Sequence, residues 1–151
     1  MGINFSIKAI LFGSQEYQKM VDLRRKVLRI PLGLDFTEED LNKDINSHLL
    51  ACFNMEKEVI GCCVVDIHPQ NSSFKVRQMA VNPLFQSMGI GKELIRSVET
   101  LAKEEKINSI HLHARKVAID FYKKQGYNIV GDEFMEVNIP HFRMEKRINT
   151  D

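Results

Sequence analysis

Residues 78–102 read QMAVNPLFQSMGIGKELIRSVETLA and join three signals in one run. The first residues end an apolar strand, and Asn82-Pro83 marks a turn. The loop Gln86-Ser87-Met88-Gly89-Ile90-Gly91 then opens a long amphipathic run. Two glycines spaced this way at a helix start let successive backbone N–H groups point the same way with no side chain in front of them. That is a seat for an anion such as phosphate. Two better-known phosphate loops do not fit. The dinucleotide fingerprint requires a third glycine where Leu94 stands, and the nucleoside-triphosphate loop requires Ser or Thr where Glu93 follows Gly91-Lys92. Taken alone, the loop is also compatible with a tight structural turn, and the flanking elements must decide.

The chain has 151 residues, 44 % hydrophobic and 27 % charged, with a formal net charge of +1. One domain spanning 1–151, with a sizeable core, is the expectation. Near-neutral charge with Lys and Arg spread along the chain argues against a nucleic-acid partner or a polybasic membrane surface. No apolar run reaches membrane-spanning length, and the first ten residues lack a basic segment followed by an apolar signal core. Met1-Gly2 with Ser6 matches a myristoylation pattern, but no second membrane signal accompanies it. The three cysteines, Cys52, Cys62 and Cys63, all lie in apolar strand-like segments. Their number and spacing suit neither a disulfide framework nor a zinc site, so buried thiols in a reducing cytoplasm are expected.

Outward from the loop, the pattern predicts a strand within 3–11, then a helix from Ser14 on which Tyr17, Met20, Val21, Arg24, Val27 and Leu28 recur. Pro31 and Gly33 stop it, and Thr37 with Asp40 can cap a short second helix. Residues 48–54, 58–67 and 74–81 read as three antiparallel strands. Ile90, Leu94, Ile95, Val98 and Leu101 form one face of the helix after the loop. A strand at 107–112 and a helix at 116–125 follow, the latter with Val117, Ile119, Phe121 and Tyr122 near its buried face and Gly126 as its cap. Two last strands, 127–130 and 142–146, are joined by an acidic loop, 131–140. This order fits a mixed α/β, mostly antiparallel sheet with helices on both faces.

Gln86-x-x-Gly89-x-Gly91 after Val81, with the later Ala118-x-x-Phe121-Tyr122-x-x-x-Gly126-Tyr127, closely resembles the GNAT superfamily of acetyl-CoA-dependent N-acetyltransferases. The match in element order covers essentially the whole chain. The tail, Glu133 to Met144 with its Ile139-Pro140-His141, resembles a small bacterial subgroup of acyltransferases whose acceptors are mostly unsettled. The resemblance implies a sheet splayed at the strand before the glycine loop, with acetyl-CoA as the acyl donor in the resulting cleft. It implies that the backbone of Gln86, Ser87, Met88, Gly89, Ile90, Gly91 and Lys92 receives the pyrophosphate, with Lys92 adding charge. Met79 and Val81 would pair with the pantetheine arm as an added strand does, and Tyr122 matches the usual general acid.

The strand before the loop carries no carboxylate where many relatives place a glutamate base, and Arg77 cannot serve as one. His141 is the first candidate, since an imidazole suits the task, with Glu136 and Asp66 as others. A loop histidine beside the Pro140 turn is the bland alternative. His113 could line the cleft, and His111, two residues earlier, is expected to pack or to meet solvent. No third ligand accompanies this pair, so no metal is expected. Arg24, Arg25, Lys26 and Arg29 form a basic cluster whose default reading is a solvated helix face. It could otherwise hold a phosphate or an anionic acceptor, whereas Glu133 and Glu136 would attract a cationic amine. The expected partner is a small-molecule or peptide amine, and an antiparallel edge could pair with a second copy as a homodimer. A CoA-binding sensor without efficient catalysis is the competing reading.

Overall fold

The computed structural model describes residues 4–149; the Met1-Gly2 pattern lies outside them. Eight strands form one sheet: β1 (Phe5–Ala9), β2 (His48–Asn54), β3 (Val59–His68), β4 (Ser73–Val81), β5 (Ser109–Arg115), β6 (Asn128–Ile129), β7 (Phe134–Glu136) and β8 (Ile139–Arg147). Their order is β1-β2-β3-β4-β5-β8-β6, with β7 pairing β8. Only β4 and β5 run parallel, linked by α3 (Ile90–Glu104), and every other pair is antiparallel.

β2 and β3 are apolar almost throughout because both faces are covered. Side chains alternate across a strand, so one run of residues feeds two cores. Leu49, Ala51, Phe53, Cys62 and Val64 meet α1 (Gln15–Arg24) through Tyr17, Met20 and Val21. Leu50, Cys52, Cys63 and Val65 meet α3 through Ile90, Leu94, Ile95, Val98 and Ala102. Burial pushes the thiols up, to about 11 for Cys52 and about 12 for Cys62, which keeps them protonated and inert. No helix among the described residues is long and apolar enough to cross a membrane.

Ser14 caps α1 by accepting from the Tyr17 N–H, and Thr37 with Asp40 forms the reciprocal box at α2 (Glu38–Asn42). After Arg24 the helix widens into a π turn, Arg25–Arg29, then tightens to a 3₁₀ turn, Ile30–Leu32, ended by left-handed Gly33. Two expectations need correction. The 116–125 segment is a 3₁₀ turn (Lys116–Ala118) followed by a short α4 (Ile119–Lys124), and Val117 is 93 % exposed, because the tighter turn rotates it off the buried face. The 131–140 segment is no plain loop: Phe134–Glu136 forms β7, which folds back on Ile139–His141.

At Gly61 on β3, a Cβ would lie 2.6 Å from Ile90 Cγ2, a branched and stiff side chain at the first residue of α3. Gly61→Ala should therefore destabilise the fold by about 1–3 kcal/mol. Displacement of the α3 start should also weaken CoA binding, and denaturant melts with CoA titrations would read both effects.

His111 is nearly fully buried, its ring edge-on to His68 at 5.5 Å. Burial lowers its pKa from 6.5 to about 4, and the charges of Arg143, His68 and Lys75 reinforce this against Glu145. Between pH 6.5 and about 4 the unfolded chain takes up a proton that the folded chain refuses, so stability falls with pH across that window. A loss on the order of 1–3 kcal/mol between pH 7 and 4.5 is expected in urea melts. A His111→Gln variant should show a flatter profile; an unchanged slope would reject the assignment. The depressed carboxylates Asp35, Asp40 and Asp66 start from 3.8 and titrate below this window.

Candidate active site

Pairing between β4 and β5 runs from Ser73↔Ser109 to Val76↔Leu112 and stops, although both strands continue. The cause lies in β4. Against β3 its register slips by one residue, since Cys62 faces Ala80 while Val64 faces Arg77. Gln78 in this extra stretch has φ +55°, rare for a residue with a Cβ. Such a bulge bends and twists its strand, here turning the end of β4 from β5. Arg24 Nε reaches the Gln78 side-chain oxygen at 3.4 Å. Beyond the bulge, the Asn82 N–H donates to the Ile60 carbonyl at 2.9 Å. By strand alternation, the amides of Met79 and Val81 then face the opposite, unpaired edge.

The splay opens a cleft of about 1020 Å³ that reaches from the glycine loop to the β7–β8 hairpin. At its mouth, the Asn82 side chain accepts from Leu84 N–H at 3.0 Å and starts a 3₁₀ turn, Pro83–Phe85. Ser87 (φ +66°) and Gly89 (φ +82°) then swing the backbone into α3. The Gly89 carbonyl accepts the first helical bond, from Glu93 at 3.0 Å. N–H groups ahead of that bond have no intrahelical partner and carry the positive end of the helix dipole. Gln86, Ser87, Gly89, Ile90, Gly91 and Lys92 all border the cleft. The Met88 side chain is 41 % exposed and outside the lining, so only its backbone belongs to the loop. A Cβ on Gly91 would stand 3.1 Å from Phe121 Cζ, so a bare residue lets α4 close against α3.

α4 also brings Tyr122, 7 % exposed, to the cleft wall. Its ring meets Phe121 at 4.9 Å and Tyr127 at 6.1 Å. The Tyr127 hydroxyl donates to Glu99 at 3.0 Å, whereas that of Tyr122 has no hydrogen-bond partner among the described residues. Burial, with the Cys63 thiol beside it, raises the Tyr122 pKa well above its ordinary value and keeps the hydroxyl protonated.

At the other end, Glu136 Oε1 lies 2.9 Å from His113 Nδ1, and its Oε2 lies 3.7 Å from His141 Nε2. His141 is buried, and its Nδ1 meets the Ile139 carbonyl at 2.7 Å. Both its nitrogens thus face protein groups, whereas His113 is a quarter exposed and its Nε2 meets no hydrogen-bond partner among the described residues. The Phe134 ring lies edge-on to His113 at 4.9 Å and stacks on His141 at 5.9 Å. The hairpin that carries Glu136 turns on Val137 (φ +46°) and Asn138 (φ +61°). No group of three His, Cys, Asp or Glu side chains among the described residues is placed to share a metal ion.

Asp66, the other carboxylate candidate, is occupied. Burial pushes it upward, but Arg77 Nε at 2.7 Å and the Ser47 hydroxyl at 2.6 Å outweigh this and hold it below the usual range. The basic cluster divides four ways. Arg24 is 1 % exposed and paired with fully buried Asp44, which corrects the solvated-face expectation for that residue. Arg25 pairs with Asp22 and Asp35 outside, Lys26 is exposed, and Arg29 borders the cleft.

Residues 34–148 match the acetyltransferase (GNAT) domain family. YyaT, an uncharacterized protein of Bacillus subtilis, is 36 % identical over 115 residues, 76 % of this chain and 75 % of that protein. Among solved structures, an acyl-CoA N-acyltransferase from Pseudomonas aeruginosa aligns with TM-score 0.79 at 16 % identity, covering 96 % of this chain and 99 % of the other. An aminoglycoside 6′-N-acetyltransferase complexed with coenzyme A aligns with TM-score 0.80 at 16 % identity, covering 95 % and 97 %. At these identities the structural likenesses bear on the fold.

Proposed function

The chain belongs to the GNAT acetyltransferases, and from that premise we propose that it moves an acetyl or short acyl group from acetyl-CoA to the primary amine of a small molecule or peptide. The observation that carries this reading is one cleft bounded by a free strand edge, an anion-binding helix start, a protonated tyrosine and a histidine–carboxylate pair. The residues fit the donor. N–H groups from Ser87 to Lys92 would receive the pyrophosphate, and the Met79 and Val81 amides would pair with the amide-bearing arm. The donor supplies a thioester carbonyl open to direct attack by a neutral amine.

His113 takes the proton from that amine. With Nδ1–H donating to Glu136, its Nε2 keeps the lone pair that a general base needs. His141, with its Nδ1–H on the Ile139 carbonyl and its ring stacked on Phe134, is packed into the hairpin behind Glu136 rather than free to meet the amine. Tyr122 supplies a proton to the departing sulfur. A CoA sensor on the same fold would leave the acceptor end bare, and the His113–Glu136 pair favours turnover. Thiol release from acetyl-CoA across an amine panel is the test, with saturation by a defined amine expected. Tight CoA binding without turnover on any amine would sink the enzyme reading.

A further inference from the structure

At the acceptor end of the cleft, two guanidinium groups lack a carboxylate partner. Arg115 is the last residue of β5, past the point where β4 pairing ends and directly opposite His141 in register. It borders the cleft, and its side chain makes no hydrogen bond or ion pair among the described residues. Arg29 ends the π turn; among the described residues its side chain donates only to the carbonyl of neighbouring Leu28 at 3.1 Å, and it lies over the Phe36 ring at 4.7 Å. Burial lowers its pKa, and the charges of Arg24 and Arg115 lower it further against Asp40 and Glu136. Like charges have thus been gathered in a partly desolvated place.

The nearby guanidinium and carboxylate groups are otherwise engaged. Arg24 and Arg77 share Asp44, and Arg77 also holds Asp66. Asp40 accepts from the Thr37 N–H at 2.9 Å in its capping box, and Glu136 is engaged by His113 at 2.9 Å. Neither acid comes within ion-pair distance of Arg29 or Arg115. Stacking on Phe36 holds the Arg29 fork in a defined orientation, which suits a carboxylate or phosphate. Lys92 and the start of α3 already serve the opposite end of the cleft.

We propose that the acceptor is a small amine that itself carries a carboxylate or phosphate, bound through that anion by Arg29 and Arg115 while its nitrogen faces His113. This rests on the transferase reading above and narrows its substrate class. It also reconciles the acidic and basic hints at this end, since the acid serves the amine and the arginines serve the anion.

Matched amines test it: β-alanine against β-alaninamide, and O-phosphoethanolamine against ethanolamine. Binding to the CoA-loaded protein is read by calorimetry, and kcat/KM by thiol release from acetyl-CoA. The anionic member of a pair should be preferred by about tenfold or more. That preference should collapse toward one in Arg29→Gln and Arg115→Gln, with Kd for CoA alone unchanged as the check on folding. Arg115→Lys should restore part of it. Absence of preference across the pairs, or a preference that survives both substitutions, overturns the proposal. Loss of CoA affinity in the variants does so too, since the arginines would then serve the donor's phosphates. If no amine releases thiol, the transferase reading fails, while the binding arm still decides this one.

Discussion

Urea denaturation of an Asp44→Ala protein should show a loss of roughly 3–5 kcal/mol in folding stability, the largest single-residue effect expected in this chain. Asp44 is fully buried and receives three strong bonds: from the Tyr17 hydroxyl at 2.6 Å, Arg24 Nη1 at 2.7 Å and Arg77 Nη2 at 2.8 Å. Arg24 is 1 % exposed and has no other carboxylate. Removing Asp44 leaves a buried cation uncompensated and a tyrosine hydroxyl without its acceptor, which costs far more than the net worth of the pair. Replacing Arg24 as well, as in Asp44→Leu with Arg24→Met, should recover part of the loss, because it removes the buried stranded charge while the bonds from Tyr17 and Arg77 stay lost. A single-site loss below about 1 kcal/mol would show that water reaches Arg24 and would contradict its burial.

Tyr122→Phe should lower kcat by about 10²- to 10³-fold while leaving the KM for acetyl-CoA near its original value. The ring keeps its contacts with Phe121 and Tyr127, so packing changes little. What disappears is a hydroxyl that burial holds protonated at neutral pH and that no other described residue engages. A departing thiolate at the cleft wall is the partner this arrangement lacks. Stopped-flow thiol detection under saturating acceptor separates turnover from binding. Full retention of kcat would remove Tyr122 from the chemistry and leave it as core.

The glycine-loop end of the cleft was legible from sequence because it is local. Gly89, Gly91 and Gln86 stand within six residues, and the helix they open is periodic enough to assign. The central strands were legible for the same reason, through apolar runs such as Leu49–Phe53 and Ile60–Val65. At the far end of the cleft His113, Glu136 and His141 were each recognisable as candidates, but their arrangement depends on register and was not legible. Nothing in Phe134-Met135-Glu136-Val137-Asn138 announces a two-residue hairpin, because such turns favour Asn or Gly at the first position and here it is Val137. A β-branched residue at φ +46° is held there by its surroundings at some cost in strain. Without that turn, Glu136 has no reason to meet His113, and the pairing of the two stayed hidden. Arg24 misled for a different reason. It falls on the apolar face of α1, and its partner Asp44 is twenty residues away in a segment without strong pattern.

The cessation of pairing after Val76↔Leu112 has a consequence for solubility as well as for catalysis. An unpaired strand edge is a template on which another polypeptide can add and nucleate aggregates. Here the free edge at Met79–Val81 lies between β4 and β5 inside a single sheet, with Phe121 closing over Gly91 at one end. One slender extended molecule can slide in, whereas an added strand with neighbours of its own cannot. The protein thereby keeps this stretch of unpaired backbone available to a small ligand and out of reach of other chains.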